Sequence, residues 1–262
     1  MSAENVISRA IIKKYSEKLC SCLRVQVAFV GAGPSSLMAA RELAAAGLKV
    51  AIFERRLSPG GGIWGGGMLF NEAVVQDNVL SILDSFNISY EPVPDAPGYY
   101  TVDSVELASG LIFGAKKAGV QIFNAISVED IVFKDNRVQG LVINWSVSKN
   151  SGLPIDPLTI IADIVVDGTG HPSEVLRYAC EKAQVRLDTE TGKIIGERPM
   201  WVESAEQETV AGTRQYYPGL YACGMSATNA SGGYRMGPIF GGMLLSGQKL
   251  AAQISEQLQG TP

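Results

Sequence analysis

Apolar positions follow different rhythms in successive parts of the chain. In ENVISRAIIKKYSEKL, Val6, Ala10, Ile11 and Ile12 recur near helical spacing among charged residues, which predicts a leading amphipathic helix over about 4–22. VQVAFVGAGPSSLMAARELAAAGLKVAIFERR then reads as an apolar strand, a glycine-rich turn, an alanine-rich helix stopped at Gly47, and a second strand. This is a βαβ unit over about 25–56. Helical patterns return at 79–90 and 104–118, on either side of the proline-rich YEPVPDAPGYY, which reads as a loop or edge excursion.

VQIFNAISVEDIVFKDNRVQGLVINWSV predicts three short strands with a turn at Lys134, Asp135 and Asn136, followed by a polar loop, SKNSG, and a further strand at about 158–167. The stretch over about 88–155 is thus an inserted β-rich layer. GLYACG and PIFGGMLLSGQKLAAQISEQL supply a last strand, a glycine-rich loop and a closing helix. No repeat and no long linker divides the chain, so one α/β domain over 1–262 is expected.

Composition limits the partners. With 262 residues, 46% of them apolar and 18% charged, the chain can bury a large core. Its net charge of −4 and pI near 5.2 offer no broad basic surface, so nucleic acid is not an expected partner. Cys20, Cys22, Cys180 and Cys223 match neither a disulfide framework nor paired zinc-ligand motifs, which fits a reducing, cytoplasmic setting. The pair Cys20 and Cys22 lies in a helix-like segment where thiols more often fill space than do redox or metal chemistry. No apolar run approaches the ~18 residues needed to span a bilayer, so no membrane partner is expected.

The first chemical motif is Gly31-Ala32-Gly33-Pro34-Ser35-Ser36, between an apolar strand and a helix. Gly31 allows the tight turn, Gly33 lets backbone approach a pyrophosphate, and the helix N-terminus supplies amide donors. Glu54 stands 21 residues after Gly33, where a carboxylate can accept both hydroxyls of an adenosine ribose. Ser36 replaces the third glycine of that pattern.

DIVVDGTGHP and YYPGLYACGM extend the likeness to flavoproteins that bind two dinucleotides, with a central parallel sheet of Rossmann type. Met225 stands where such proteins carry a flavin-binding aspartate, which argues for a different ligand on a similar fold.

Two more glycine-rich runs stand out. SPGGGIWGGGMLF surrounds Trp64 with six glycines and reads as a ligand-facing loop rather than a flexible one. GGYRMGPIFGGMLLSG places Arg235 in a turn before a helix, where its planar fork suits a carboxylate or phosphate; the bland alternative is a surface ion pair.

Taken with Ile52-Phe53-Glu54-Arg55, VINW, IDP and TGHP, these runs resemble the thiamine thiazole synthase family, in its archaeal and bacterial form, over about residues 25–255. The resemblance implies a homo-octamer that converts NAD, glycine and sulfur to an adenylated thiazole carboxylate with ferrous iron. NAD is then a substrate: nicotinamide leaves and ribose carbons enter the thiazole. By position, the resemblance assigns Gly31, Gly33, Ser35 or Ser36, Glu54, Arg55, Gly62, Val128, Pro154, Ile155, Asp156 and Met225 to the nucleotide site. It assigns Arg235 to the glycine carboxylate, and Asp156 and His171 to iron.

Pro154 departs from the pattern, since eukaryotic members place a sulfur-donating cysteine there and archaeal ones tend to have histidine. Proline holds no sulfur, so the expected source is external sulfide and the expected enzyme turns over.

A strand over 158–167, at ~3.3 Å per residue, would hold Asp156 and His171 roughly 30 Å or more apart. Either that strand bends sharply, or Asp156 meets a neighbouring subunit's His171. The bland readings are an Asp-Pro turn and a helix-capping histidine. Two other functional classes share parts of this pattern: a flavin- or nicotinamide-dependent oxidoreductase, and a noncatalytic nucleotide-binding protein in which Pro154 breaks the site.

Overall fold

The computed structural model describes residues 1–151 and 155–259. Helix α1 (Ala3–Ser21), capped by the Ser2 hydroxyl, leads to β1 (Arg24–Val30), α2 (Pro34–Ala45) and β2 (Val50–Glu54). Next come β3 (Glu72–Gln76), α3 (Leu80–Ser85), β4 (Glu91–Pro92) and β5 (Tyr99–Asp103). Helix α4 (Ser104–Lys117), capped by Asp103, is followed by β6 (Gln121–Asn124), β7 (Ile126–Lys134), β8 (Arg137–Trp145) and α5 (Ser146–Ser151). Then follow β9 (Leu158–Asp167), α6 (Glu174–Lys182), β10 (Arg198–Met200) and α7 (Val202–Gly212). The last elements are β11 (Arg214–Tyr217), β12 (Leu220–Ala222), α8 (Met225–Ser231), β13 (Tyr234–Arg235) and α9 (Gly241–Gln259).

The central sheet runs β11-β12-β9-β1-β2-β6, with β1 parallel to both β2 and β9, and with β6 and β12 extending the parallel set. Such a sheet is covered on both faces, which explains the apolar run over 27–30 that ends β1: Val27, Ala28 and Phe29 are fully buried. Helices α2, α4 and α9 seal one face through Leu37, Leu43, Leu107, Leu111 and Leu244. On the other face Leu141 and Ile143 of β8 pack with Phe53, Phe123 and Leu176 of α6.

The β7–β8 hairpin turns at Asp135 and Asn136, whose φ values of 51° and 54° match a tight two-residue hairpin turn. Strand β9 has a divided partner. Its first residues pair antiparallel with β8 and its last pair parallel with β12, while β1 runs along its other edge.

Several elements differ from the pattern-based expectation. The helix expected over 79–90 ends at Ser85, because Asn87 takes a left-handed φ of 53° and Ile88 turns back to bond the Leu83 carbonyl. The proline-rich excursion contributes β4 and β5 to a three-stranded antiparallel sheet with β3. SKNSG overlaps α5 rather than forming only a loop. Helix α1 forms where the pattern places it, yet buries no residue in this chain; Val6, Ile7, Ile11 and Ile12 are each at least half exposed. Among the described residues no helix is long and apolar enough to cross a membrane.

Candidate functional site

Strands β1, β2, β9 and β12 all point their C-terminal ends at one cleft of about 1250 Å³, the position where open α/β sheets bind ligands. Its floor is stitched by backbone bonds from the turns that leave those strands. The Gly31 amide donates to the Phe53 carbonyl (2.8 Å), Gly60 to Ala32 (2.8 Å), Gly168 to Val30 (2.9 Å) and Cys223 to Asp167 (3.1 Å).

Gly31 requires its residue type: φ is +91°, and an added Cβ would lie 2.5 Å from the Gly168 carbonyl oxygen. Gly33 caps α2 with ordinary dihedrals, and an added Cβ there would meet nothing within 4 Å. It borders the cleft, as do Ser35, Ser36 and Gly62. Ser35 Oγ is buried and has no hydrogen-bond partner, an unusual deficit for a buried hydroxyl and one that a bound phosphate oxygen would correct. Ser36 Oγ instead lies 3.9 Å from Cys223 Sγ.

At the end of β2 the buried Glu54 carboxylate accepts the Ala32 amide (2.8 Å) and the Arg56 amide (2.8 Å), one on each oxygen. A carboxylate has about four acceptor positions, so these bonds fix its plane and leave capacity for ribose hydroxyls. Arg55 also lines the cleft, but its guanidinium is paired with Glu174 at 2.6 Å. Val128 and Met225 line the same cavity.

The histidine-bearing loop begins at Asp167, a fully buried carboxylate at the end of β9. It accepts the Thr169 hydroxyl (2.7 Å), the Ser226 hydroxyl (2.9 Å), and the amides of Val175 (2.9 Å) and Leu176 (3.0 Å) at the start of α6. Burial pushes its pKa up, and these hydrogen bonds oppose that push. Ser226 also accepts the Gly170 amide at 2.9 Å, which ties the loop to α8. His171 follows on the cleft wall, half exposed, with Nδ1 2.5 Å from Glu197 Oε1.

Arg235, on β13, lines the cleft as well, and its side chain has no partner among the described residues. Below it the Glu208 carboxylate accepts from Arg198 (2.8 Å) and from the Tyr234 amide (2.7 Å), and the Arg198 guanidinium stacks 3.9 Å from the Tyr234 ring. The loop around Trp64 is ordered: its indole donates to the Pro59 carbonyl (2.7 Å), and Gly61, Gly62, Gly67 and Met68 face the cavity.

The cleft thus gathers Gly31, Gly33, Ser35, Ser36, Glu54 and Arg55 with Gly62, Val128, His171, Met225 and Arg235. Ile155 and Asp156 are exposed, precede β9, and do not line it. Since β9 runs ten residues between Leu158 and Asp167, Asp156 and His171 sit beyond opposite ends of an extended strand that itself spans roughly 30 Å. Pro154 lies outside the described residues. No group of three or more His, Cys, Asp or Glu side chains able to hold a metal occurs among the described residues. Pattern reading missed Glu197 because it sits in an irregular stretch 26 residues from His171, with no motif around it.

Fold and cleft together define an α/β protein of the dinucleotide-binding class, with a largely parallel sheet. The Thi4 family model matches residues 8–240, and the chain belongs to that family. It is 53% identical over 256 residues to the thiamine thiazole synthase of Desulfosudis oleivorans, covering 98% of both chains. It is 50% identical over 258 residues to that of Pyrococcus abyssi, covering 98% of this chain and 99% of the other. The crystal structure of Thermovibrio ammonificans THI4 superposes with a TM-score of 0.96 at 47% identity, covering 99% of this chain and 100% of that one.

Proposed function

We propose that this chain forms an adenylated thiazole carboxylate from NAD, glycine and sulfide, using ferrous iron. Its relatives' shared name and near-complete coverage make it an enzyme of thiamine thiazole synthesis. The observation that carries the finer reading is the single cleft in which a dinucleotide turn meets both His171 and Arg235. Gly33 and the unpartnered Ser35 hydroxyl would receive the pyrophosphate, Glu54 the adenosine ribose, and Arg235 the glycine carboxylate in a paired hydrogen bond.

His171 and Asp156 would hold the iron, which would supply Lewis-acid chemistry at open coordination positions. Their separation along β9 supports a site completed by Asp156 of a neighbouring subunit, in a homo-oligomer that we take to be an octamer. The oxygen and nitrogen donors fit ferrous iron better than a thiolate-bound structural zinc.

Sulfur comes from outside the chain in this reading. Pro154 has none to give, and of the four cysteines only Cys223 lines the cleft. Burial pushes its thiol up to about 12, so it stays neutral and is a poor nucleophile. Anaerobic incubation with NAD, glycine, sulfide and Fe²⁺ should therefore yield more than one equivalent of adenylated thiazole per subunit, with the protein mass unchanged. Product capped at one equivalent, with a dehydroalanine mass loss at any cysteine, would sink the external-sulfide reading.

A further inference from the structure

We propose that Glu197 is a positioning residue that fixes the tautomer and ring orientation of His171 and so prepares Nε2 for a metal ion. The inference rests on the reading of His171 as a metal ligand. The contact joins two segments, each fastened to α8. On one side the Gly170 amide bonds Ser226 Oγ (2.9 Å), the Ser173 hydroxyl donates to the Ser226 carbonyl (3.2 Å), and Asn229 Nδ2 donates to Ser173 Oγ (2.9 Å). On the other, the Gly196 amide bonds the Asn229 carbonyl (2.9 Å) and the Arg198 amide bonds the Gly233 carbonyl (2.9 Å), so the backbone is held on both sides of Glu197.

The Glu197 side chain is only 17% exposed, whereas that of His171 is 51% exposed. A solvent-facing ion pair would contribute little to stability. This one is a short contact between a largely covered glutamate and a ring on the cleft wall, which is the arrangement that orients metal-binding histidines.

Carboxylate oxygens accept and do not donate, so Nδ1 carries a proton, and in the neutral ring Nε2 then keeps its lone pair. Nε2 has no hydrogen-bond partner among the described residues. Without Glu197 the ring is free to rotate and to adopt the Nε2–H tautomer that free imidazole side chains prefer, which cannot ligate through that nitrogen.

His171 is the only histidine, so tag-free, metal-free assembled protein labelled with ¹⁵N-histidine gives one imidazole in solid-state spectra. Wild type should show protonated Nδ1 and bare Nε2. E197A, and E197L of closer volume, should shift towards protonated Nε2 and weaken Co²⁺ binding by about 10- to 100-fold. E197Q, whose amide oxygen still accepts from Nδ1, should recover most of that loss, and ADP-ribose affinity should stay at the wild-type level in all three. The proposal is overturned if E197A and E197L keep the wild-type tautomer and Co²⁺ affinity, or if they lose Co²⁺ and ADP-ribose binding in parallel. H171A separates the two readings. Undiminished Co²⁺ binding in H171A removes the ligand assignment and the Glu197 proposal with it, whereas lost binding in H171A beside intact binding in E197A removes the Glu197 proposal alone.

Discussion

At the scale of single residues, the two glycines of the first turn do separate work. Gly31 is fixed by backbone geometry, with φ at +91° and the Gly168 carbonyl 2.5 Å from any added Cβ. Gly33 has an unstrained backbone, and an added methyl would stand in open cleft. Gly31→Ala should therefore cost about 2 kcal/mol or more of unfolding free energy. Gly33→Ala should stay within about 0.5 kcal/mol of wild type while losing tenfold or more in ADP-ribose affinity, because the methyl occupies the pyrophosphate's approach. Urea titration and isothermal calorimetry on both variants check this; a stable Gly33→Ala protein with full nucleotide affinity would move the phosphate site elsewhere.

At the scale of elements, the junction of β9, α6 and α8 is held by Asp167. Replacing it by Asn keeps the size but turns an amide NH₂ towards donors, and should cost about 1–3 kcal/mol. Burial raises the Asp167 pKa, so the folded state binds that proton more tightly than the unfolded chain does. Its stabilising contribution is then complete below the ordinary carboxylate pKa of about 4 and declines as pH rises through the raised folded value. The stability gap between wild type and Asp167→Asn should narrow from pH 4 upwards in paired denaturation curves, and a widening gap would contradict the raised pKa.

Much of this element-scale architecture was legible in the chain. The βαβ unit, the β7–β8 hairpin and β9 are visible because apolar period and turn chemistry agree locally. Strands β3 to β5 were harder to see, since prolines and glycines dilute their pattern. Gly31, Gly33, Ser35 and Ser36 were readable as a group because a glycine turn between an apolar strand and a helix is a local pattern, and they line the cleft together. Glu197 was not, because its role depends on a contact across 26 residues that no local pattern encodes.

At the scale of the whole molecule, Asp156 and His171 lie beyond opposite ends of a ten-residue strand, and α1 presents Val6, Ile7, Ile11 and Ile12 to solvent in the isolated chain. Both features favour a site completed by assembly. Asp156→Ala and His171→Ala chains, each inactive alone, should recover about a quarter of wild-type turnover when dissociated and reassembled in equal amounts. Random assortment makes one interface in four carry an intact Asp156 opposite an intact His171. Mixed oligomers verified by mass that regain neither iron binding nor turnover would place both ligands in one chain. The stitched cleft floor bears on how such a site behaves once assembled. Gly31, Gly60, Gly168 and Cys223 each give an amide to a neighbouring turn or strand, so the four segments are cross-linked by backbone bonds beneath the cleft. On the proposed reaction NAD would be remodelled directly above that stitched floor, and the traffic of nicotinamide, glycine and finished heterocycle would fall to the rim.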